Sequence, residues 1–259
     1  MPDSSQHPAG EVLDRALQDA STDGGTRRWL LERVALGTAG VAAAGTLGPV
    51  SEALAQGEQG QIPAFGRVAV TTEALTVTLL TELLRRVSLH ADVPDGVKAV
   101  FEGAYAAEVD HFRFTRKYWQ PTTTRFWIPD GFFGGAGNAL SLTAVGNALV
   151  AGETLFVNLY LIGVTAFARA GQRKFARYSA ELAGCESEHR VLAQTLLNAA
   201  PPNDVGFEVY AIEHAEGIER ALEHVGVGFG TQGSAPGAFY TLAHPVMPPP
   251  LKIGSNHPR

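Results

Sequence analysis

Two copies of a Glu-x-x-His motif are the residues of this sequence best suited to carry chemistry. Glu108 and His111 form the first copy, and Glu186 and His189 form the second. Residues three apart project from the same face of a helix, so each pair would point in one direction. A carboxylate beside an imidazole is a common arrangement of metal ligands. One such motif arises easily by chance, whereas two copies in similar surroundings predict a site.

Both motifs lie on the apolar face of a predicted helix. The stripe around the first motif steps by three and four residues through Phe101, Ala104, Glu108, His111 and Thr115. The stripe around the second runs through Leu182, Glu186, His189, Ala193 and Leu196. This spacing is typical of a face buried in a helical core, where charged groups are costly unless something compensates them. Glu188 falls outside the second stripe, and we expect it to be a solvated surface charge.

Two other predicted helices each add one carboxylate, Glu73 and Glu153. Glu82 is the alternative on the first helix, but it lies nine residues beyond Glu73, about 13 Å along a helix axis. Glu73 and Glu108 lie 17 and 13 residues from the ends of their helices at the connecting turn, so an antiparallel pair brings them nearly level. The same spacing relates Glu153 to Glu186, as in a diverged helical-hairpin repeat.

Four carboxylates and two imidazoles that meet in an apolar core would be left repelling and unpaired. Two divalent metal ions would compensate them, each with one His, one terminal carboxylate and a share of two bridging carboxylates. Hard oxygen ligands with one imidazole per ion suit iron or manganese and leave positions open for small oxygen species. The alternative is a buried hydrogen-bonded network without metal. The predicted ligands are Glu73, Glu108, His111, Glu153, Glu186 and His189.

Other polar and aromatic side chains allow two interpretations each. Tyr160 lies two turns from Glu153 on the same stripe, and it could donate a hydrogen bond or an electron to the site or simply fill the core. His214 and His224 lie among several glutamates, which is typical of a solvated face, with a weak peripheral metal site as the alternative.

Four long amphipathic segments must position the six ligands. They span residues 65–90, 95–118, 140–170 and 173–199. Short turns predict two antiparallel pairs, and the longer connection over residues 119–138, pinned by Trp and Phe side chains, can cross the length of a bundle. A fifth helix is expected over 203–225, followed by an irregular Gly- and Pro-rich tail. The predicted fold is all-α, a four-helix bundle with a long crossover between helices 2 and 3 and an added C-terminal helix; an up-down bundle is the alternative.

The N-terminal region has the features of an export signal. Residues 1–25 are polar and predicted to be disordered. Arg27 and Arg28 precede a weakly apolar stretch over 34–50 and a small-x-small site at Ala53-Leu54-Ala55, which together resemble a twin-arginine (Tat) signal. An uncleaved membrane anchor through 34–50 is the alternative. We therefore expect three regions: the n-region and signal over 1–55, the bundle over 62–200, and the C-terminal helix and tail over 201–259. The Tat translocase is an expected partner, and the periplasm, cell envelope or exterior the expected location.

Composition excludes several other classes of protein. The net charge is −6, and no run of Lys and Arg interleaves with aromatic residues, so we expect no nucleic-acid partner. The single cysteine, Cys185, excludes an intramolecular disulfide and a Cys-based zinc cage. The oligomeric state stays open.

With its order of Glu, Glu-x-x-His, Glu and Glu-x-x-His, the chain resembles the ferritin-like superfamily over residues 62–200. More narrowly, it is similar to exported bacterial ferritin-like proteins related to desiccation-associated proteins, and the segment "ETLFVNLY" keeps the Glu153, Val157 and Tyr160 of their third helix. The resemblance implies a dinuclear metal site more firmly than a reaction; the reaction expected of such a site is oxidation of ferrous iron or reaction with dioxygen or peroxide. A non-catalytic stress-protection protein of the envelope is the alternative, and an iron-storage cage is a third possibility.

Overall fold

A computed structural model describes residues 50–198, 206–208 and 210–243, with only the helical backbone given for residues 50–59. The described chain is mostly helical. The twin-arginine pair and residues 34–49 lie outside the described residues, as do 199–205, 209 and 244–259. The small-x-small site at Ala53-Leu54-Ala55 falls in the first turns of the first helix. The helices are α1 (Val50–Val87), α2 (Asp95–Arg116), α3 (Leu142–Arg169), α4 (Arg173–Leu196) and α5 (Glu216–His224).

The four long helices pack side by side in the order that positions the motifs. A three-residue turn, with Gly171 at φ +70°, joins α3 to α4, so these two helices run antiparallel in extensive contact. Residues 88–94 join α1 to α2, and these two helices also pack against each other. Further contacts of α1 with α3 and of α2 with α4 close the group around one hydrophobic core.

The all-α prediction is wrong in one respect, because the chain also contains a small antiparallel sheet. Strand β1 (Arg125–Pro129) lies between β2 (Gly228–Phe229) and β3 (Gly237–Thr241). The segments 119–138 and the tail after 226 were expected to be irregular. Their Gly and Pro residues suggested loops, and the strands that pair are more than 100 residues apart, so no local signal connects them.

The crossover from α2 to α3 is held against the helices by apolar side chains. Trp119 lies so close to Gly66 of α1 that a Cβ atom there would overlap its ring, at 2.1 Å. Phe126 and Ile128 of β1 are fully buried, and Phe133, at the end of a 3-10 turn over Asp130–Phe133, is 1% exposed. The crossover is therefore part of the core and fixes the ends of α2 and α3.

The predicted C-terminal helix over 203–225 is shorter than expected. Within the described residues the helix covers only Glu216–His224. Ahead of it, the buried amide of Asn158 on α3 donates to the carbonyl oxygen of Ile212 (2.8 Å) and accepts from the backbone N–H groups of Ala211 (2.8 Å) and Ile212 (3.1 Å). These bonds satisfy the backbone from outside the segment, which replaces helical hydrogen bonding there.

By length and composition, α3 is the one helix among the described residues that could span a membrane. Its most apolar 18-residue window has a mean hydropathy of 1.6 and is 44% buried within the molecule. The same helix carries the buried Glu153, Asn158 and Tyr160 and packs along α4. Part of its apolar surface is therefore buried in the core.

Candidate metal centre

Six charged or titratable side chains from the four long helices meet in the core. Five of them are between 0% and 8% exposed, and the side chain of the sixth, His189, is 10% exposed. Helix α1 contributes one carboxylate, α3 another, and α2 and α4 one Glu-x-x-His pair each. The side chains are Glu73, Glu108, His111, Glu153, Glu186 and His189.

These side chains form two groups of four that share two members. In each group, one ligand atom from every residue lies within 4.8 Å of the others. The first group adds Glu73 and His111 to the shared Glu108 and Glu186, and the second adds Glu153 and His189 to the same pair. All six residues named by the sequence analysis thus lie together, and Glu82 does not belong to the cluster.

Each shared carboxylate directs one oxygen at each imidazole. Nδ1 of His111 lies 3.1 Å from Oε1 of Glu186 and 3.6 Å from Oε2 of Glu108. Nδ1 of His189 lies 2.8 Å from Oε1 of Glu108 and 3.3 Å from Oε2 of Glu186. The two ring centroids are 5.9 Å apart. Glu108 and Glu186 therefore each contact both imidazoles and belong to both groups of four.

The cluster is short of hydrogen bonds. Six of the seven buried side-chain N and O atoms that lack a hydrogen-bond partner in the described chain belong to it. Oε1 of Glu108 is one of them, although it lies 2.8 Å from Nδ1 of His189, because the two atoms do not have hydrogen-bonding geometry. Buried polar groups are otherwise almost always paired, so this concentration of unpaired atoms indicates a missing partner.

Electrostatics lead to the same conclusion. Burial, reinforced by neighbouring carboxylates, raises the pKa values of Glu73 and Glu153 well above their usual range. Burial opposes ionisation of Glu108 as well, but the two imidazoles outweigh it and hold the pKa of Glu108 far below normal. Burial alone would lower the pKa values of the histidines, but the carboxylates raise that of His111 and bring that of His189 to about 11. These shifts favour the protonated forms of the two histidines, Glu73 and Glu153 in the metal-free cluster.

Tyr160 both fills the core and forms a hydrogen bond with the cluster. Its hydroxyl donates across the core to Oε1 of Glu73 on α1, a partner that the sequence did not indicate. Burial, and then the charge of Glu73, raises the pKa of Tyr160 well above its usual value. The residue is 1% exposed and remains a neutral donor.

Two small cavities lie beside the cluster, and neither could be inferred from the sequence. The larger, of about 20 Å³, has Glu153 and His189 in its wall, and its other lining residues are apolar: Leu80, Val100, Phe101, Ala104, Leu149, Leu192, Ala193 and Leu196. The smaller, of about 10 Å³, lies near Tyr160 and is lined mainly by aromatic side chains.

Three other histidines, His90, His214 and His224, lie outside the cluster. His90 makes a 2.9 Å contact from Nε2 to the carbonyl oxygen of Asn138, at the end of the crossover. Nδ1 of His214 lies 3.2 Å from Nε2 of Gln61. In the described residues, neither His214 nor His224 belongs to a group that could hold a metal ion.

Comparison with known proteins adds no further assignment: no family model, curated protein or solved structure matches the chain. The interpretation therefore depends on the site itself. Its donors are carboxylate oxygens and imidazole nitrogens, several of them buried and unpaired, which fits a hard or borderline divalent cation. The buried cluster could hold a metal ion.

Proposed function

We propose that this chain is an exported ferritin-like protein with a dinuclear iron or manganese carboxylate centre that reacts with small oxygen species. The observation that carries the proposal is the sharing of Glu108 and Glu186 between the two imidazoles, with one oxygen of each carboxylate directed at each ring. A protein that needed only buried ion pairs would not leave six atoms of the cluster unpaired.

Each protein ligand has a distinct role in this proposal. Glu73 and His111 would hold one ion and Glu153 and His189 the other, and Glu108 and Glu186 would contribute to both positions. When bound, iron or manganese would supply the redox chemistry with dioxygen or peroxide, or the oxidation of ferrous iron. The surrounding apolar side chains exclude bulk water from the cluster, and Tyr160 holds one oxygen of Glu73.

The ferritin-like assignment is supported by the order of the ligands along the chain. A carboxylate, a Glu-x-x-His pair, a second carboxylate and a second pair come from α1 to α4, with the long connection between α2 and α3. A ferritin-like bundle has this arrangement. The three-stranded sheet at the crossover would be an addition to that bundle. The Arg27-Arg28 pair supports export by the Tat route, which carries folded proteins and would allow the centre to be loaded before export.

Elemental analysis of purified protein, after reconstitution with iron or manganese, tests the proposal. We expect about two ions per chain in the wild type, since two groups of ligands are present. Glu108→Ala and Glu186→Ala should each lose most of both ions, because each removes a shared ligand. Glu102→Ala on α2 and Glu188→Ala on α4 are matched controls that remove exposed carboxylates from the same helices, and they should keep the full metal content.

The outcome of this experiment can also contradict the proposal. Wild-type protein that binds no metal after reconstitution would leave the cluster as a proton-filled network. Equal loss in Glu102→Ala and Glu108→Ala would mean that folding, and not ligation, is affected. Two bound ions without consumption of dioxygen or peroxide would favour a non-catalytic protein of the envelope.

A further inference from the structure

The two ends of the cluster differ in how their terminal carboxylates are held. Oε1 of Glu73 accepts the hydrogen bond of Tyr160, which leaves Oε2 as the unpaired atom that faces His111, 4.0 Å away. Oε2 of Glu153 is also unpaired, but no hydroxyl group of the described chain holds Glu153. The charged groups that act on it are Glu186, Glu108 and His189, all of them members of the cluster. Glu73 is therefore held by a group from outside the cluster, whereas Glu153 interacts only with other members of the cluster.

The cavities near the two ends of the cluster also differ. Glu153 and His189 line the cavity of about 20 Å³, whereas neither Glu73 nor His111 does. The cavity of about 10 Å³ near the other end is bounded by Tyr160 and a group of aromatic rings. A water molecule needs about 10–15 Å³ of such space, so the larger cavity has room for one small molecule. Its wall is apolar apart from the two ligands, which favours a neutral guest.

We infer that Tyr160 is a positioning residue that makes the two metal positions unequal. The Glu73–His111 position retains its ion. The Glu153–His189 position, which faces the apolar cavity, holds its ion more weakly and is the end that dioxygen reaches. This inference is based on the proposed dinuclear centre.

The physical reason is preorganisation. A ligand whose orientation is already fixed by a second hydrogen bond loses less conformational freedom when it binds an ion, and it binds more tightly. Glu153 has no such partner outside the cluster, so its orientation can change more readily when a small molecule enters from the cavity. The anchored end is covered by Tyr160, and the aromatic side chains around Tyr160 restrict entry from that side.

Titration of the metal-free protein with Co²⁺, followed by visible absorption, tests the order of binding. The wild type should bind two ions in resolved steps, and Glu153→Ala should keep the tighter step while Glu73→Ala keeps only the weaker one. Tyr160→Phe should weaken the tighter step about 10–100-fold, the usual cost of losing a partner that orients a metal ligand, and should leave the weaker step unchanged.

Tyr240→Phe is the matched control for Tyr160→Phe. Its hydroxyl also pairs with a charged group, accepting a 3.1 Å hydrogen bond from Nη2 of Arg86, but it lies on β3 away from the cluster. We expect both Co²⁺ steps to be unchanged in this variant. Two equal steps in the wild type, a uniform effect of the two tyrosine variants, or loss of the tighter step in Glu153→Ala would each overturn the inequality while leaving the dinuclear centre in place. A protein that binds no Co²⁺ would overturn both proposals.

Methyl NMR under dioxygen pressure tests the route without any turnover, using protein loaded with redox-inactive Zn²⁺. Paramagnetic relaxation by dissolved dioxygen should be larger at the methyl groups of Leu149, in the larger cavity, than at those of Leu182, in the smaller one. Ala104→Leu adds bulk to the larger cavity, and it should abolish the effect at Leu149 while both Co²⁺ steps persist. Equal relaxation at the two leucines, or a stronger effect at Leu182, would show that dioxygen does not prefer the Glu153–His189 end.

Discussion

Helix α1 buries two carboxylates nine residues apart, and the molecule treats them in opposite ways. Glu82 receives hydrogen bonds from Nε and Nη2 of Arg85, both at 2.7 Å, and from Nε of Arg86 at 2.8 Å. Glu73 receives one hydrogen bond, from a neutral phenol, and its other oxygen faces carboxylates and a histidine. The first carboxylate has its counter-charges built into the chain, and the second does not.

Arg86 is a buried charge that has several hydrogen-bond partners. It is fully buried, and besides Glu82 it donates to the carbonyl oxygens of Gly135 (3.0 Å) and Ala139 (2.8 Å). Its guanidinium carbon lies 3.9 Å from the centre of the Phe133 ring. These contacts tie α1 to the crossover, so we interpret the Glu82–Arg86 pair as structural.

The pKa values of the two carboxylates express this difference. For Glu82, burial works against the charge, but hydrogen bonds from Arg85 and Arg86 outweigh it and lower the pKa below normal. For Glu73, burial and nearby carboxylates raise the pKa well above normal. We interpret a buried carboxylate that is paired with an arginine as structural. Buried carboxylates that lack such a partner and have raised pKa values are candidates for a ligand-binding site.

Removing Arg86 from the Glu82–Arg86 ion pair should produce the largest change in the free energy of unfolding. Arg86→Met leaves Glu82 without its buried partner and the two crossover carbonyl groups without a donor, so we expect the free energy of unfolding to fall by about 3–5 kcal/mol. Urea unfolding measures it. Arg85→Met is the control: this side chain is 48% exposed and pairs with the same carboxylate, so its loss should cost no more than about 1 kcal/mol. Similar losses in both variants would contradict the structural role of Arg86.

Removing metal should have the next largest effect. If the Glu73 cluster binds ions only in the folded state, free metal at about 100 times Kd adds about 2.7 kcal/mol of stability. A chelator should therefore lower the melting temperature of the wild type, as measured by calorimetry. The same treatment of Glu108→Ala should change nothing, and an equal shift in both proteins would place the stabilising metal elsewhere.

The metal-free protein should become less stable as the pH rises. Because the pKa of His189 is about 11 in the folded state against 6.5 unperturbed, its stabilising contribution is full below pH 6.5 and is lost as the pH rises toward 11. The raised pKa values of His111, Glu73 and Glu153 act in the same direction. The slope is about 1.4 kcal/mol per pH unit for each proton involved.

Urea unfolding at pH 6.5 and pH 8 checks this slope. The metal-loaded protein should show a smaller slope, because bound ions take the place of the protons. A metal-free protein that gains stability over this range would contradict the assigned protonation. Glu82 contributes with the opposite sign, since its lowered pKa gives stability that is lost only as the pH falls below 4.5.

Neutralising the two carboxylates in turn should give the smallest effect and the clearest contrast. Glu73→Gln keeps an oxygen that can accept from Tyr160 and replaces a carboxyl group whose raised pKa already favours its neutral form, so the unfolding free energy of the metal-free protein should change by at most about 1 kcal/mol. Glu82→Gln leaves Arg86 buried without a charge partner and should destabilise clearly more. Chemical unfolding of both variants in chelator makes the comparison, which fails if Glu73→Gln costs as much as Glu82→Gln.

The six clustered side chains could be predicted from the sequence because helical geometry is regular. A constant rise per residue let the distance from a turn decide between Glu73 and Glu82, and the structure brings Glu73 together with the other five side chains. The three-four spacing likewise indicated which face of α2 and of α4 would be buried. Local patterns were enough here, because each inference concerned residues on one helix or on a helical hairpin.

The sheet, and the hydrogen-bond partners of Tyr160 and Asn158, could not be predicted from the sequence in this way. Strand β1 pairs with residues more than 100 positions away, and its flanking Gly and Pro residues suggest a loop. Nothing near Tyr160 in the chain indicates that its hydroxyl meets Glu73 on another helix. Similarly, nothing in the sequence around Asn158 indicates that its side chain forms hydrogen bonds with the backbone of residues 211–212.

The sequence by itself therefore determined that four long helices form, which of their faces are buried and which six side chains share a level, because these depend on spacing within helices. The tertiary structure alone decided which buried carboxylate obtains an arginine, which obtains a tyrosine and which borders a cavity. Those outcomes depend on contacts between segments far apart in the chain, and a difference of a few ångströms in packing separates a completed ion pair from a site that needs a ligand.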